Sequence, residues 1–275
     1  MENGKKSIIV PWDFSEKSES SLLHAINIAK VVKDEVHLLY FIKEKSFFGS
    51  KSKSQQEHSL ISKKLESLVS RLSKEYGYPI HFHVKEGKPR EIINQLSQQL
   101  QINLLVVGTL YDTGNIQLEA KDFINCTIDD DIPVILNSKP PAGNYYREIV
   151  IPVERHKKYK EELKWIIYLS KYLKCNLNFI RPFFNDVFME KEIQNNMFFT
   201  KRLLDANDII FGIKTSRRGD NFKEEVFNFA DNIEADLVLI MSHRFSYYFS
   251  GNETEKFPIM VINPRADLRK FQGFY

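Results

Sequence analysis

The chain has 275 residues, of which 43% are hydrophobic and 27% charged, the proportions of a soluble globular protein long enough for two ordinary domains. Its formal net charge is only +3, without a long basic stripe, which argues against nucleic acid as the main partner. No apolar run reaches bilayer-spanning length, Met1 to Lys6 precede no signal-peptide core, and Cys126 and Cys175 stand in no metal-type spacing. The expected setting is therefore the cytoplasm, with reduced structural thiols and no membrane contact.

The elements follow in chain order. The apolar run from Ser7 to Pro11 predicts a strand covered on both faces. Asp13-Phe14-Ser15 is a turn with capping residue types, followed by a helix to about Val32 whose Leu22, Ala25, Ile26, Ala29 and Val32 keep helical spacing. Val36 to Ile42 is the second strand. Glu44 to Gln56 is polar and Ser/Lys-rich and reads as a mobile loop, in which Phe47 and Phe48 either fold back onto the domain, the favoured reading, or dock a partner. Leu60, Lys64, Leu65, Leu68 and Leu72 mark a long amphipathic helix, and Ile80 to Val84 the third strand. Gly87-Lys88-Pro89 sets a proline in the first turn of the next helix, Ile92 to Leu100. Leu104 to Val107 is the fourth strand, Ile116 to Thr127 a weak helix, and Val134 to Leu136 the fifth strand.

Pro140-Pro141-Ala142-Gly143-Asn144 interrupts helix and strand alike and serves as a linker. The text then repeats. Ile8-Ile9-Val10-Pro11 returns as Val150-Ile151-Pro152, Lys30 and Lys33 as Lys171 and Lys174, and Leu38-Leu39 as Phe179-Ile180. Asn103 to Val107 returns as Asp236 to Ile240, and Pro133 to Leu136 as Pro258 to Val261. The second copy predicts strands at Ile149–Val153, Leu177–Arg181, Ile209–Lys214, Leu237–Met241 and Ile259–Ile262. Its helices fall at Lys160–Leu173, Val187–Leu204 and Phe222–Ile233. Ser242 to Pro258 is too short for a full fourth helix. The chain is a tandem duplication, with one domain over 1–139 and a shortened one over 145–275.

Alternating strands and helices imply parallel sheets with right-handed crossovers. In such sheets ligands bind beyond the carboxyl ends of the strands, where the winding reverses. The loops there carry Asp13 and Gly108.

Several fragments together resemble one family. Ile8 to Ser15, Val36-His37-Leu38-Leu39-Tyr40, Glu86-Gly87-Lys88-Pro89, Leu104 to Thr109 and Ile132 to Leu136 are similar to universal stress proteins, in order and, more loosely, twice over. The resemblance implies an α/β, Rossmann-like open five-stranded parallel sheet of order 3-2-1-4-5 in each copy, and a stress-response role without catalysis. It also implies that fifth strands pair across a two-fold axis. Here both are uncharged and lie on one chain, so an intramolecular pseudo-dimer is expected, with a homo-oligomer as a further option. One branch of the family binds adenine nucleotides through Gly-x-x-Gly, nine residues, then Gly-Ser or Gly-Thr. Glycines let backbone N–H groups approach phosphate. By that resemblance the site residues of the first copy are Pro11, Asp13, Phe41, Gly108 and Gly114, with Asp13 facing ribose or adenine and Phe41 flanking a base. Tyr111 stands where the second glycine belongs, and Ala120-Lys121 replaces the third. In the second copy Glu154 replaces Asp13, Met241 replaces Gly108, and the next glycine is Gly251. The phosphate motif is degraded in both copies, so no cofactor is expected beyond an adenine nucleotide in the first domain.

Other groups have a structural reading beside the functional one. Asp13 serves equally as a helix N-cap. His81 and His83 alternate on one strand face without a third ligand in sight, which favours ordinary histidines over a metal. Asp129-Asp130-Asp131 reads as a solvated helix exit, Lys121 as a surface lysine and Arg218-Gly219-Asp220 as a turn. The leading function is a binding or signalling module, argued from the expected lack of an acid/base pair in either crevice. The alternatives are adenine-nucleotide binding or weak adenylate cleavage in domain one, for which Lys121 is the sole candidate group. Third is a phosphorylated receiver, which needs an acidic acceptor after strand three, where the first copy ends in Lys85-Glu86-Gly87 and the second in Lys214-Thr215-Ser216.

Overall fold

In the computed structural model, residues 6–44, 51–128, 132–155, 159–217 and 221–263 are described. The chain divides into two compact units, Met1–Pro141 and Ala142–Tyr275, each built around a parallel sheet.

The first unit opens with β1 (Ser7–Pro11), buried throughout. Ser15 caps α1 (Glu16–Val32) by accepting the Ser18 amide, and Glu16 and Glu19 favour the helix's positive end. The helix stops where Lys33 turns left-handed at φ 65°. β2 (Glu35–Ile42) follows, then α2 (Lys51–Tyr76). The loop expected over 44–56 is therefore corrected: from Lys51 the chain is helical. Lys, Gln and Glu are good helix formers, and a polar run serves as well for a solvated helix face as for a loop. Phe47 and Phe48 lie outside the described residues. β3 (Ile80–Glu86) leads to α3 (Pro89–Leu100), with proline in the first turn, and then to β4 (Ile102–Gly108).

Beyond β4 the sequence reading fails in one place. The helix expected from Ile116 begins at Ala120. Before it, β5 (Leu110–Asp112) and β6 (Gln117–Glu119) form an antiparallel hairpin. α4 (Ala120–Thr127) then starts where the Asp122 carboxylate accepts the Glu119 amide at 2.9 Å. β7 (Val134–Asn137) completes the unit. The strand order is β3-β2-β1-β4-β7, with every neighbouring pair parallel. The winding reverses between β1 and β4, so their exits frame the crevice.

The second unit runs β8 (Glu148–Pro152), α5 (Tyr159–Leu173), β9 (Asn176–Arg181), α6 (Val187–Asp205) and β10 (Phe211–Thr215). α7 (Phe222–Asn232) and β11 (Leu237–Met241) follow. The third strand begins two residues later than the apolar run suggested, because the Ile209 amide closes the end of α6 on Leu204. Between β11 and β12 (Ile259–Ile262) there is one short helix, α8 (Phe245–Tyr248), flanked by single 3-10 turns at Ser242–Arg244 and Glu253–Glu255. The order is β10-β9-β8-β11-β12, again parallel. Among the described residues no helix is long and apolar enough to cross a membrane.

Candidate functional site

The first crevice is assembled from the exits of β1, β2 and β4 and from the β5–β6 hairpin. Pro11 ends β1 in the core, and the Trp12 amide still bonds the Leu39 carbonyl at 2.9 Å. Asp13 then turns its carboxylate onto its own surroundings. Oδ1 accepts the Ser15 amide at 3.0 Å and the Ser15 hydroxyl at 2.6 Å, and Oδ2 accepts the Asp112 amide at 2.9 Å. Ser15 caps α1, so Asp13 is not the N-cap. It ties the β1 loop to the hairpin. Between them Phe14 holds φ 65°, an uncommon conformation for an aromatic residue. Its ring packs against Trp12 and Tyr40, with the Lys64 ammonium 3.7 Å above it.

The hairpin brings Tyr111 against the end of β2. Tyr111 is 3% exposed. Its hydroxyl accepts the Phe41 amide at 3.0 Å, and its ring meets Phe41 edge-on at 5.4 Å and Phe123 at 6.3 Å. Burial drives the Tyr111 phenol well above its ordinary pKa, so it stays neutral. Phe41 thus flanks an aromatic ring, and that ring belongs to the same chain.

The two candidate glycines have local explanations. A Cβ on Gly108 would lie 2.9 Å from the Lys17 Cβ, so glycine permits α1 to press against the end of β4. Gly114 sits in the hairpin turn at φ +78°, with open space around it, and its amide bonds the Asp112 carboxylate at 2.6 Å. Lys121 is exposed at the start of α4. Pro11, Asp13, Phe41 and Gly108 thus lie at or near the carboxyl ends of the neighbouring strands β1, β2 and β4, while Gly114 shapes the hairpin after β4.

The second crevice holds residues the sequence reading missed. Glu154, buried just past β8, lies 3.3 Å from Arg244 Nε and 3.7 Å from His243 Nε2. The Asn196 side chain donates to the Glu154 carbonyl at 2.5 Å, and the Arg244 guanidinium stacks over Tyr247 at 4.2 Å. Met241, in the place of the glycine, is buried. The expectation that neither crevice holds an acid facing a base is thus corrected: Glu154 and His243 are such a pair. The available signal was a basic dipeptide, His243-Arg244, one residue beyond the fourth strand, at the switch point opposite an acid.

A further cluster lies on β2 and β3. His37 is the third imidazole that strand alternation in β3 alone did not reveal. Its Nδ1 is 3.1 Å from His83 Nε2, its ring stacks on His81 at 4.9 Å, and its Nε2 is 3.5 Å from Glu35. Burial first, then His83 and His81, lowers the His37 pKa to about 4, and His83 is lowered too. The nitrogens engage one another, and among the described residues no group of three side chains is arranged to hold a metal ion. Burial raises the thiols of Cys126 to about 11 and Cys175 to about 12, leaving them unreactive. Asp129 to Asp131 and Arg218 to Asp220 fall outside the described residues.

Comparison with known proteins agrees with this architecture. The family described as the universal stress protein family matches residues 5–112. That match ends in β5, one residue past Tyr111. A curated relative, universal stress protein MJ0531 of Methanocaldococcus jannaschii, is 35% identical over 120 residues, covering 41% of this chain and 69% of the relative. Among solved structures, a universal stress protein from Archaeoglobus fulgidus DSM 4304 aligns with TM-score 0.67 at 14% identity over 94% of this chain and 97% of its own. A putative universal stress protein from Pseudomonas aeruginosa UCBPP-PA14 aligns with TM-score 0.60 at 15% identity, covering 94% of this chain and 93% of its own. At such identities the structural likeness concerns the fold alone.

Proposed function

The chain belongs to the universal stress protein family, and from that premise we propose that it is a binding module without catalysis whose first crevice is closed against nucleotides by its own Tyr111. The observation that carries this reading is the 3.0 Å bond from the Phe41 amide to the Tyr111 hydroxyl inside a buried aromatic cluster. A ligand base placed against Phe41 must first expel this ring. Truncating a buried aromatic costs about 3–5 kcal/mol, so a displaced ring would weaken binding by roughly two to four powers of ten. The hairpin supplies no glycine at Tyr111 for a phosphate, and the Asp13 oxygens are already taken by Ser15 and Asp112.

The second crevice fits the same reading. A buried carboxylate facing a guanidinium and an imidazole is compensated within the unit, the arrangement of a structural ion pair. Glu154 and Arg244 then act as a strut between the exits of β8 and β11.

The proposal includes the association of the copies through their fifth strands. Val134-Ile135-Leu136 and Ile259-Met260-Val261-Ile262 are uncharged, and an open edge of that kind invites pairing. Pro140–Asn144 keeps both on a short tether, which raises their effective concentration for each other. An antiparallel seam between β7 and β12, an intramolecular pseudo-dimer, satisfies both edges.

The nucleotide half of the reading is tested by calorimetry with ATP and AMP on the wild type and on Tyr111→Gly. Heat of binding is expected only after the ring is removed. Micromolar affinity of the wild-type chain overturns it.

A further inference from the structure

β10 is the outer strand of the second unit's sheet, bonded to β9 on one side only. Such an edge presents unpaired N–H and C=O groups, and proteins ordinarily guard it with charge, proline or a bulge. The corresponding outer strand of the first unit is guarded: β3 carries His81, His83, Lys85 and Glu86 along its length. β10 reads Phe211-Gly212-Ile213-Lys214-Thr215, with one charge. That charge is turned inward. The Lys214 ammonium lies 3.9 Å from Glu225 and 4.7 Å over the Phe229 ring, both on α7. Ile213 stays 40% exposed on the strand, and Ile210 just before it 85%.

We propose that β10 is a homodimer interface, pairing antiparallel with β10 of a second copy of this chain across a two-fold axis at Ile213. That register is self-complementary. It sets Ile213 against Ile213, Phe211 against Thr215, and Gly212 against Lys214. No like charges meet, and the glycine leaves room for the long lysine stem. A register centred on Lys214 would place two ammonium groups opposite each other, which is destabilising. A folded copy suits the surface better than a lone extended peptide. The Phe211, Ile213 and Thr215 face lies on the α6 side, since Arg181 bonds the Thr215 hydroxyl at 3.1 Å and pairs with Glu190 of α6 at 2.8 Å. α6 leaves Phe188 and Phe198 exposed at 70% and 63%, apolar area that a second α6 would help to cover.

The test is disulfide trapping in the full chain. Directly opposed residues of an antiparallel pair have Cα atoms roughly 4.5–5.5 Å apart, within disulfide reach. Residues one step off the axis are beyond it. Ile213→Cys should form a cross-linked dimer under mild oxidation, and Lys214→Cys at least ~10-fold less. The native Cys126 and Cys175 are buried and supply the background, measured in the wild type. Sedimentation should show a concentration-dependent wild-type dimer that Ile213→Lys weakens at least ~10-fold, with circular dichroism confirming that the variant is folded. If it does not fold, the two cysteine variants decide alone. Equal cross-linking at both positions, none at either, or a wild-type chain that stays monomeric throughout overturns the proposal.

Discussion

The amide of Phe41 donates a hydrogen bond to the hydroxyl of Tyr111, 70 residues further along the chain, at 3.0 Å. It joins the end of β2 to the hairpin that follows β4, across the crevice this fold ordinarily leaves open at its switch point. The hydroxyl is the acceptor for a buried amide, so its loss is felt twice. Tyr111→Phe should cost about 1–3 kcal/mol by leaving that N–H without a partner, and Tyr111→Ala about 3–5 kcal/mol. Thermal unfolding of both variants checks the order; equal costs would mean that the ring alone matters.

Gly108 and Gly114 should respond differently to alanine. At Gly108 the added methyl meets the Lys17 Cβ at 2.9 Å, so α1 must shift, at about 1–3 kcal/mol. At Gly114 the space is open and only the φ of +78° resists, at about 1 kcal/mol. Urea unfolding of the two variants distinguishes close packing from turn conformation. A larger loss at Gly114 would contradict the packing role of Gly108.

Acid should destabilise the chain from just below neutrality. Burial lowers His24 to about 4, against the opposing bond with the Lys139 carbonyl, and burial with His83 and His81 lowers His37 to about 4. Both are ordinary, near 6.5, when unfolded. A base with a depressed folded pKa binds its proton better in the unfolded chain. The stability it contributes is therefore complete above about pH 6.5 and is lost progressively down to about pH 4, at about 1.4 kcal/mol per unit for each group. Glu253 adds a second window. Burial opposes its charge, but Lys223 and Ser250 prevail and lower it to about 2, so its contribution fades as pH falls from about 4.5. His37→Gln should flatten the upper part of the profile in denaturant titrations; an unchanged slope there would remove His37 from the account.

Glu154 and Arg244 should prove unequal. Glu154 has 8% of its side chain exposed and Arg244 38%. Arg244→Ala takes the guanidinium from an interior carboxylate and should cost about 2–4 kcal/mol. Glu154→Gln leaves a cation that reaches water and should cost about 1 kcal/mol or less. Chemical denaturation of the two variants reads the difference, and a reversed order would place the strut's buried end on the wrong residue.

The strands and most helices were legible because apolar runs and helical spacing are local properties, and because the second copy repeats the first. β1 and β8 are the clearest cases. The start of α2 was not legible, since a Ser/Lys-rich run is compatible with both a loop and a solvated helix face. In the crevice, the absence of glycine at Tyr111 was visible but the destination of its ring was not. Burying Tyr111 depends on Phe41, 70 residues away, and on Phe123 across the hairpin. Asp13 was visible as a capping type, yet its partner Asp112 belongs to a hairpin whose second strand was read as the start of a helix. His37 and the His243–Arg244 pair were missed because their neighbours come from adjacent strands.

The central claim is that the first crevice is already occupied by its own side chain. Nuclear magnetic resonance with the Phe41 and Asp112 amides as reporters tests it most directly, since one bonds Tyr111 and the other Asp13. Titrated with ATP, both amide signals should stay in place. Saturating shifts of both at micromolar ATP, abolished by Asp13→Ala, would contradict the account.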